Sequence, residues 1–395
     1  MEGGVGAYTF ELAKALRDRG ARVSVLTSVA ASGGGEEGIS AHPVVERWRP
    51  AIWRSVPELA REIGADWIHV QYQTAAFGMN PAINFGPQRW RRATGNRIGL
   101  AWTYHDLLVP YLFPKAGDRL RRWVTERPLH AADLTIVTNQ ADYMALAPKV
   151  DDRRERLVNI PIGSNITGVE LTPEERAARR ASLGYGPDDI VLAYFGFLNR
   201  SKGGLTLIRA VQRLAQERDA IRLLMIGERV GASDPTNYAY LQEVESLIRE
   251  LGLGERVRWT GRLSDEEVAT ALNACDVLLM PYEDGASLRR GTLMAGLANG
   301  CAIVTTTPQT PTPELVDERD LMYAAPGNDK ALATVTNRLL SLPALAAKLR
   351  RNARERSRLF SWEGIAGRHL AEYGKLKIED WSAGSREERK LKIED

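Results

Sequence analysis

What most limits the fold of this chain is an alternation. Short apolar runs rich in β-branched residues are each followed by a stretch with helical spacing, and the pattern occurs in two blocks. In the first block the apolar runs are "RVSVLTS" (22–28), "WIHVQY" (67–72), "IGLAWTYH" (98–105) and "LTIVTN" (134–139). In the second they are "IVLAYFG" (190–196), "IRLLMIG" (221–227), "RVRWTG" (256–261), "DVLLMP" (276–281) and "AIVTT" (302–306). Helical patterns lie between them at 8–20, 205–217, 236–252 and 264–274, the last opening with a Ser264–Glu267 capping box. Strands without a polar face, joined through helices, form parallel sheets covered on both sides. Two such blocks predict an α/β protein with two doubly wound domains, and 395 residues suffice for two cores. The join falls in "NIPIGSNITGVELTPEERAARR" (159–180), where an apolar strand gives way to a polar, Pro-containing stretch.

Both ends break the pattern. "GGVGAYTFELAKALRDRG" (3–20) reads as a glycine loop and first helix of the kind that follows a first strand, yet only Met1 and Glu2 precede it. This predicts a start placed too late or a truncated fragment. The alternative, a strand supplied by the tail, meets the objection that "KLKIED" is too charged for a slot covered on both faces. "FSWEGIAGRHLAEY" (360–373) predicts an amphipathic closing helix, and the charged remainder, in which "KLKIED" occurs twice, predicts a disordered tail.

Composition removes several function classes. A 44% hydrophobic and 26% charged share is that of an ordinary globular protein, and a net charge of +3 is too small to argue for nucleic acid. Cys275 and Cys301, each in an apolar segment, predict buried thiols rather than a disulfide, and neither has neighbours at metal-ligand spacing. No apolar run reaches transmembrane length and no signal peptide is visible, which predicts a cytoplasmic protein. Arginine interleaved with aromatics in "NFGPQRWRRATGNR" (84–97) and "PYLFPKAGDRLRRWVTE" (110–126) suits peripheral contact with an anionic membrane, though such a pattern also describes a solvated helix face.

Doubly wound sheets bind ligands at the carboxyl ends of their strands. Gly3, Gly4 and Gly6 would form the first such loop, letting backbone approach an anion or a sugar; a plain tight turn explains them equally well. "FGFLNRSKGG" (195–204) sets Arg200 and Lys202 at a helix start, which disfavours a cation unless an anion is bound there. "MPYEDGASLRRGTLMAGLANGCAIVTT" (280–306) sets Arg289 and Arg290 at the threshold of another helix, where free N–H groups and forked guanidinium donors suit phosphate or carboxylate. "TYHDL" (103–107) puts His105 and Asp106 at a strand end, as a proton donor or acceptor or as a hydrogen-bonded structural pair. His69 lies inside a strand pattern and is expected in the core; His42, His130 and His369 have no constellation around them. Paired carboxylates, a nucleophile elbow and a Walker loop are not seen.

"GGVGAYTFELAKALRDRGARVSVLT", "TYHDL", "GFLNRSKGGLTLIRA", "GRLSDEEVATALNACDVLLMPY" and "FSWEGIAGRHLAEY" occur in an order that resembles glycosyltransferases of the family 4 type, from Gly3 to about Tyr373. The resemblance implies a GT-B fold, two Rossmann-like domains facing across a cleft. The implied parts are an acceptor-side domain at 1–165, a nucleotide-sugar domain at 166–358, a crossing helix at 359–374 and a charged tail at 375–395. It implies that Lys202 meets the donor diphosphate, that His105 stands near the reacting sugar, and that Gly4 belongs to the first loop. The family's usual arginine behind the strand-ending glycine is Phe197 here, with Arg200 as a substitute. Aligned on "LANG" (297–300), the two family glutamates of Glu-x7-Glu become Ser287 and Ala295. The implied donor loop then consists of Glu283, Ser287, Leu288, Arg289, Arg290, Gly291 and Thr292, with Asp284 beside Glu283.

The leading expectation is an enzyme. It would transfer a hexosyl group, with retention and without cofactor or metal, from a nucleoside diphosphate sugar to a saccharide or lipid-linked acceptor in polysaccharide or glycoconjugate synthesis. The alternatives are a non-catalytic protein of the same fold that binds a nucleotide-sugar or a partner, and a sugar epimerase.

Overall fold

The computed structural model describes residues 4–29, 36–109, 114–150, 156–229 and 235–382. Its strands are β1 (Val23–Ser28), β2 (Ile39–Val45), β3 (Trp67–Tyr72), β4 (Gly99–Tyr104), β5 (Leu134–Val137), β6 (Leu157–Asn159), β7 (Ile190–Phe195), β8 (Ile221–Ile226), β9 (Val257–Trp259), β10 (Val277–Met280), β11 (Ile303–Thr306) and β12 (Met322–Ala324). The first helices are α1 (Gly4–Asp18), α2 (Ile52–Glu62), α3 (Gly86–Thr94), α4 (Asp118–Glu126), α5 (Gln140–Leu146) and α6 (Pro173–Ser182). They are followed by α7 (Gly204–Glu217), α8 (Pro235–Glu250), α9 (Asp265–Ala274), α10 (Gly291–Ala298), α11 (Asp329–Leu340), α12 (Pro343–Ser357) and α13 (Trp362–Ser382). The chain forms two compact units, one of Met1–Ile162 with Trp362–Asp395, the other of Gly163–Ser361.

The second unit is built on one six-stranded sheet in the order β12-β11-β10-β7-β8-β9, every pairing parallel. Side chains of a strand alternate between faces. Val191 and Ala193 of β7 therefore join one apolar cluster with Val268, Leu272, Leu293 and Met294 of α9 and α10. Leu192 and Tyr194 join another with Leu207, Ile208, Val211 and Leu214 of α7. The capping box of α9 is formed as expected, with Ser264 Oγ accepting from Glu267 N at 3.2 Å and Glu267 Oε2 from Ser264 N at 2.9 Å. Cys275 and Cys301 are buried and free.

The first unit carries two parallel sheets rather than one, β1-β2 and β3-β4-β5-β6. Helix α1 touches both β1 and β3. One face of the larger sheet is covered by α1 and α13, through Tyr8, Leu12, Ile365 and Ala366, and the other packs with Ile52 and Val56 of α2 and Trp90 of α3. Strand β1 is only half-buried along its length, and β3 half-buried over Trp67–His69, whereas β4 is buried from Leu100 to Tyr104. Edge strands account for the three that the apolar runs did not announce. Strand β2 contains Pro43 and β6 and β12 are three residues long, and all three lie at the outside of their sheets, where pairing tolerates such features.

Two expectations are corrected. Gly4 and Gly6 lie inside α1 rather than in a loop before it, while Gly3 is outside the described residues. The first turn of a helix has no earlier carbonyls to bond, so weak helix formers are tolerated there. The closing helix does not end at Tyr373 but continues as α13 to Ser382, taking in the first "KLKIED"; the second copy lies outside the described residues. Within the aromatic–arginine segments Arg89 lies over Trp53, Arg91 pairs with Asp133 at 2.5 Å and Arg122 with Asp118 at 3.1 Å, while Leu120 and Trp123 are exposed. No described helix is long and apolar enough to cross a membrane.

Candidate donor site and the histidine cluster

In the second unit, chain order runs outward from β7 in one direction and from β10 in the other, so the sheet reverses between these two neighbouring strands. Loops leaving their carboxyl ends diverge onto opposite faces and leave a crevice, the usual ligand position in an open α/β sheet. The loop after β7 carries Lys202 and the loop after β10 carries Arg290. Their backbones are joined, Glu283 N donating to Ser201 O at 2.8 Å. Two glycines permit the approach. Gly203 has φ +69°, and a Cβ there would sit 1.9 Å from Pro281 O. At Gly196, φ +111°, a Cβ would lie 2.9 Å from Thr292 Cγ2 and 3.2 Å from Lys202 Nζ. Lys202 and Thr292, ninety residues apart in sequence, thus meet over one glycine.

The charges here are unbalanced. Burial, with Arg290 adding to it, lowers the Lys202 pKa to about 8, so the ammonium stays mostly charged at pH 7. It has no ion pair among the described residues. Arg290 is held by both oxygens of Asp284 at 2.5 Å and lies over the Tyr282 ring, 4.7 Å from its centroid. The Tyr282 hydroxyl is 3.0 Å from Thr292 Oγ1, so Asp284, Tyr282 and Thr292 fix where the guanidinium stands. Glu283 Oε1 accepts from Thr206 Oγ1 at 2.6 Å. Ser287 shapes the turn, its carbonyl accepting from Arg290 N and its hydroxyl from Arg289 N. Gly291 opens α10 with nothing within 4 Å of where a side chain would be. Two cations converging beside a helix start form an arrangement suited to an anion with several oxygens.

Two members of the expected set do not join it. Arg200 turns away to Glu243 at 2.9 Å and lies over Tyr240, because Asn199 caps Lys202 N and turns residue 200 outward toward α8. It does not replace the missing arginine at Phe197. Leu288 is 3% exposed and part of the core, so only its backbone is available. Ala295 is fully buried in the same cluster, which leaves no room for a carboxylate at that position. Tyr282, Thr206 and the role of Asp284 in holding Arg290 were not legible in the sequence; only their tertiary partners give them meaning.

In the first unit His105 follows β4. Its N–H donates to Tyr72 O at 2.9 Å, and its Nε2 lies 3.0 Å from Gln71 Oε1, an acceptor, so Nε2 carries the ring proton and Nδ1 is the acceptor. Tyr8 of α1 meets the ring edge-on, with centroids 4.5 Å apart. Asp106 accepts from Gln73 and from Leu108 N, which shapes the loop. His369, for which the sequence suggested no neighbours, is fully buried on α13 beside His69. His69 is half-buried, with Nε2 2.7 Å from Thr103 Oγ1 and Nδ1 2.7 Å from Tyr373 OH. Burial, and then mutual repulsion, lowers the His105 pKa to about 4 and that of His69 well below its usual value; burial lowers His369 to about 4. All three are neutral at pH 7. At pH 7 the uncharged His105 ring can both donate and accept a hydrogen bond.

Residues 2–166 match the family model Glycosyltransferase Family 4, and residues 175–356 match Glycosyl transferases group 1. The chain belongs to the family 4 type of glycosyltransferases. It is 24% identical over 412 residues to a D-inositol 3-phosphate glycosyltransferase of Nocardioides sp., which spans 95% of this chain and 86% of that one. A 2-deoxystreptamine glucosyltransferase of Streptomyces kanamyceticus is 27% identical over 352 residues, 84% of this chain and 83% of that one. Among solved structures, HepE of Anabaena in complex with UDP aligns with a TM-score of 0.73 at 20% identity, over 94% of this chain and 96% of that one. The fold is of the GT-B class, and this glycosyltransferase departs from family expectation at the lost glutamates. Among its described residues no group of three His, Cys, Asp or Glu is placed to hold a metal ion.

Proposed function

We propose that this glycosyltransferase moves a hexosyl group, with retention, from a nucleoside diphosphate sugar to a saccharide or lipid-linked acceptor in cell-surface polysaccharide or glycoconjugate synthesis. The observation that carries the reading is Lys202, a charged ammonium without an ion pair among the described residues, gathered with Arg290 at the reversal of the six-stranded sheet. In the reaction proposed, the bond between the anomeric carbon and the diphosphate oxygen breaks while the acceptor oxygen bonds to that carbon. The acceptor proton passes to the departing phosphate. Lys202, Arg290 and the N-terminus of α10 stabilise the charge that develops on the leaving group, and no protein nucleophile is needed. His105, uncharged, orients the reacting sugar through hydrogen bonds. We place the reaction in the cytoplasm, at the inner face of the membrane when the acceptor is lipid-linked.

Relatives differ in acceptor, an inositol phosphate in one name and 2-deoxystreptamine in another, so the acceptor is left at the level of class. UDP-sugars come first as donors, since HepE was solved with UDP and with UDP-glucose. The test is a donor screen on purified protein, reading nucleoside diphosphate release with and without acceptor. Release that depends on acceptor supports transfer. Tight nucleotide binding without release under any pairing would replace this reading with a non-catalytic nucleotide-sugar-binding protein.

A further inference from the structure

We infer that Gln71 of β3 is a positioning residue for His105, fixing which nitrogen of that ring carries the proton and which is left to accept. The register of the sheet brings the two together. Gln71 stands opposite Thr103 in the β3–β4 pairing, and His105 lies just past the end of β4, its N–H donating to Tyr72 O at 2.9 Å. Side chains two residues apart on a strand share a face, so His69 and Gln71 of one strand lie beside Thr103 and His105 of the other. Diagonal neighbours across such a pair are within reach of long side chains. This is the face covered by α1 and α13, from which Tyr8 meets the His105 ring and Tyr373 meets His69.

The contacts give the Gln71 amide a direction. Its Nε2 lies 3.2 and 3.3 Å from the two ring nitrogens of His69, so the NH2 end faces that ring. Its Oε1 is turned to His105 Nε2 at 3.0 Å. His69 is itself held on both sides, Nε2 2.7 Å from Thr103 Oγ1 and Nδ1 2.7 Å from Tyr373 OH. The ring behind the amide is thus tied to β4 and to α13, and turning the amide over would exchange donor for acceptor at both of its ends. An amide oxygen only accepts, so His105 keeps its proton on Nε2. Burial, with His369 adding to it, holds the ring neutral at pH 7, which leaves Nδ1 as an acceptor. Among the described residues no hydrogen bond reaches Nδ1, and the ring is half-buried, so a ligand O–H is the partner that suits it. That His105 meets substrate rests on the transferase reading above; the state of the ring does not.

The test uses the full chain labelled with 15N-histidine and long-range 1H–15N NMR at pH 8, with the His105 signals assigned from the His105→Ala variant. The parent should show His105 as the Nε2–H tautomer alone. Gln71→Leu, which removes the oxygen, should show a mixture of both tautomers, whereas Gln71→Glu keeps an oxygen at that place and should keep the single tautomer. In acceptor-dependent nucleotide release, Gln71→Leu should lower kcat about tenfold with the donor KM within about twofold, and Gln71→Glu should recover most of that loss. In the His105→Ala background Gln71→Leu should cost nothing further, as expected of a residue that acts only through the ring. A parent ring protonated on Nδ1 overturns the proposal, whether or not Gln71→Leu folds. An unchanged tautomer in folded Gln71→Leu, or a fully additive loss in the double variant, overturns it as well. The NMR arm needs no substrate, so a failure to find nucleotide release would count against the transferase reading and leave the ring to judge Gln71.

Discussion

Lys202 in the second unit and His105 in the first respond to the same force with opposite results. Burial lowers the pKa of both, Lys202 to about 8 and His105 to about 4. Because lysine starts so much higher, it remains a cation at pH 7, while the histidine becomes a neutral ring. Among the described residues Lys202 has no ion pair, whereas its neighbour Arg290 is paired with Asp284, so one cation of that region is left without a partner there. In the His105 region hydrogen bonds run from His105 to Gln71, from Gln71 to His69 and from His69 to Tyr373, His369 meets His69 ring to ring, and there is no ion pair at these histidines among the described residues. Burial alone thus does not identify a site's chemistry; the starting pKa and the neighbouring charges decide it.

The comparison is broken most sharply by removing the neutral ring. His105→Ala should lower transfer by roughly 100- to 1,000-fold, the cost of one oriented hydrogen bond, while nucleoside diphosphate affinity stays within about twofold, since the proposed diphosphate contacts lie in the other region. Turnover within a few-fold of the parent would make His105 structural. Next comes acid stability. A histidine kept at about 4 when folded and near 6.5 when unfolded lets the unfolded chain bind more protons between those values, so stability falls as pH drops through that window. For His369 the loss should approach about 3 kcal/mol near pH 4. Urea unfolding at pH 7 and pH 4.5 should show a steeper decline for the parent than for His369→Leu; parallel declines would mean that His369 is not held neutral by the fold.

The cation region is probed by smaller effects. Lys202→Ala and Arg290→Ala should each weaken nucleoside diphosphate binding roughly ten- to a hundredfold and leave bare nucleoside unaffected, as calorimetry can show. Equal diphosphate affinity in both variants would mean that the loops grip something else. Smallest is the pH effect on the intact protein. A bound diphosphate favours protonated Lys202, so affinity should hold up to about pH 8 and then fall by at most about tenfold per unit as the free lysine deprotonates. Lys202→Arg, which does not titrate there, should flatten that fall.

Much of the fold was legible because its signals are local. Alternating apolar runs announced nine strands, and Ser264 with Glu267 announced the start of α9. The edge strands β2, β6 and β12 were not, since a strand paired on one side needs neither length nor continuous apolarity. Within the site, the sequence placed Lys202 and Arg290 at helix starts, and the charge preference of a helix terminus is a local property. It also nominated Arg200 and Leu288, which the same local reasoning could not separate from the rest. Whether a side chain on a loop turns toward α8, sinks into a core or faces a ligand depends on elements far along the chain.

By itself, then, the sequence determined which segments become strands and helices and which residue types sit at their ends, because hydrophobic period and capping act over a few residues. Only the tertiary structure decided that β7 and β10 are neighbours, and so that Lys202 and Thr292 meet at Gly196. It also brought His69 and Gln71 of β3 together with His369 and Tyr373 of α13, some three hundred residues on, and left them uncharged. The physical reason is range. Strand order and desolvation depend on how whole elements pack, and no short stretch of sequence contains the partners that set them.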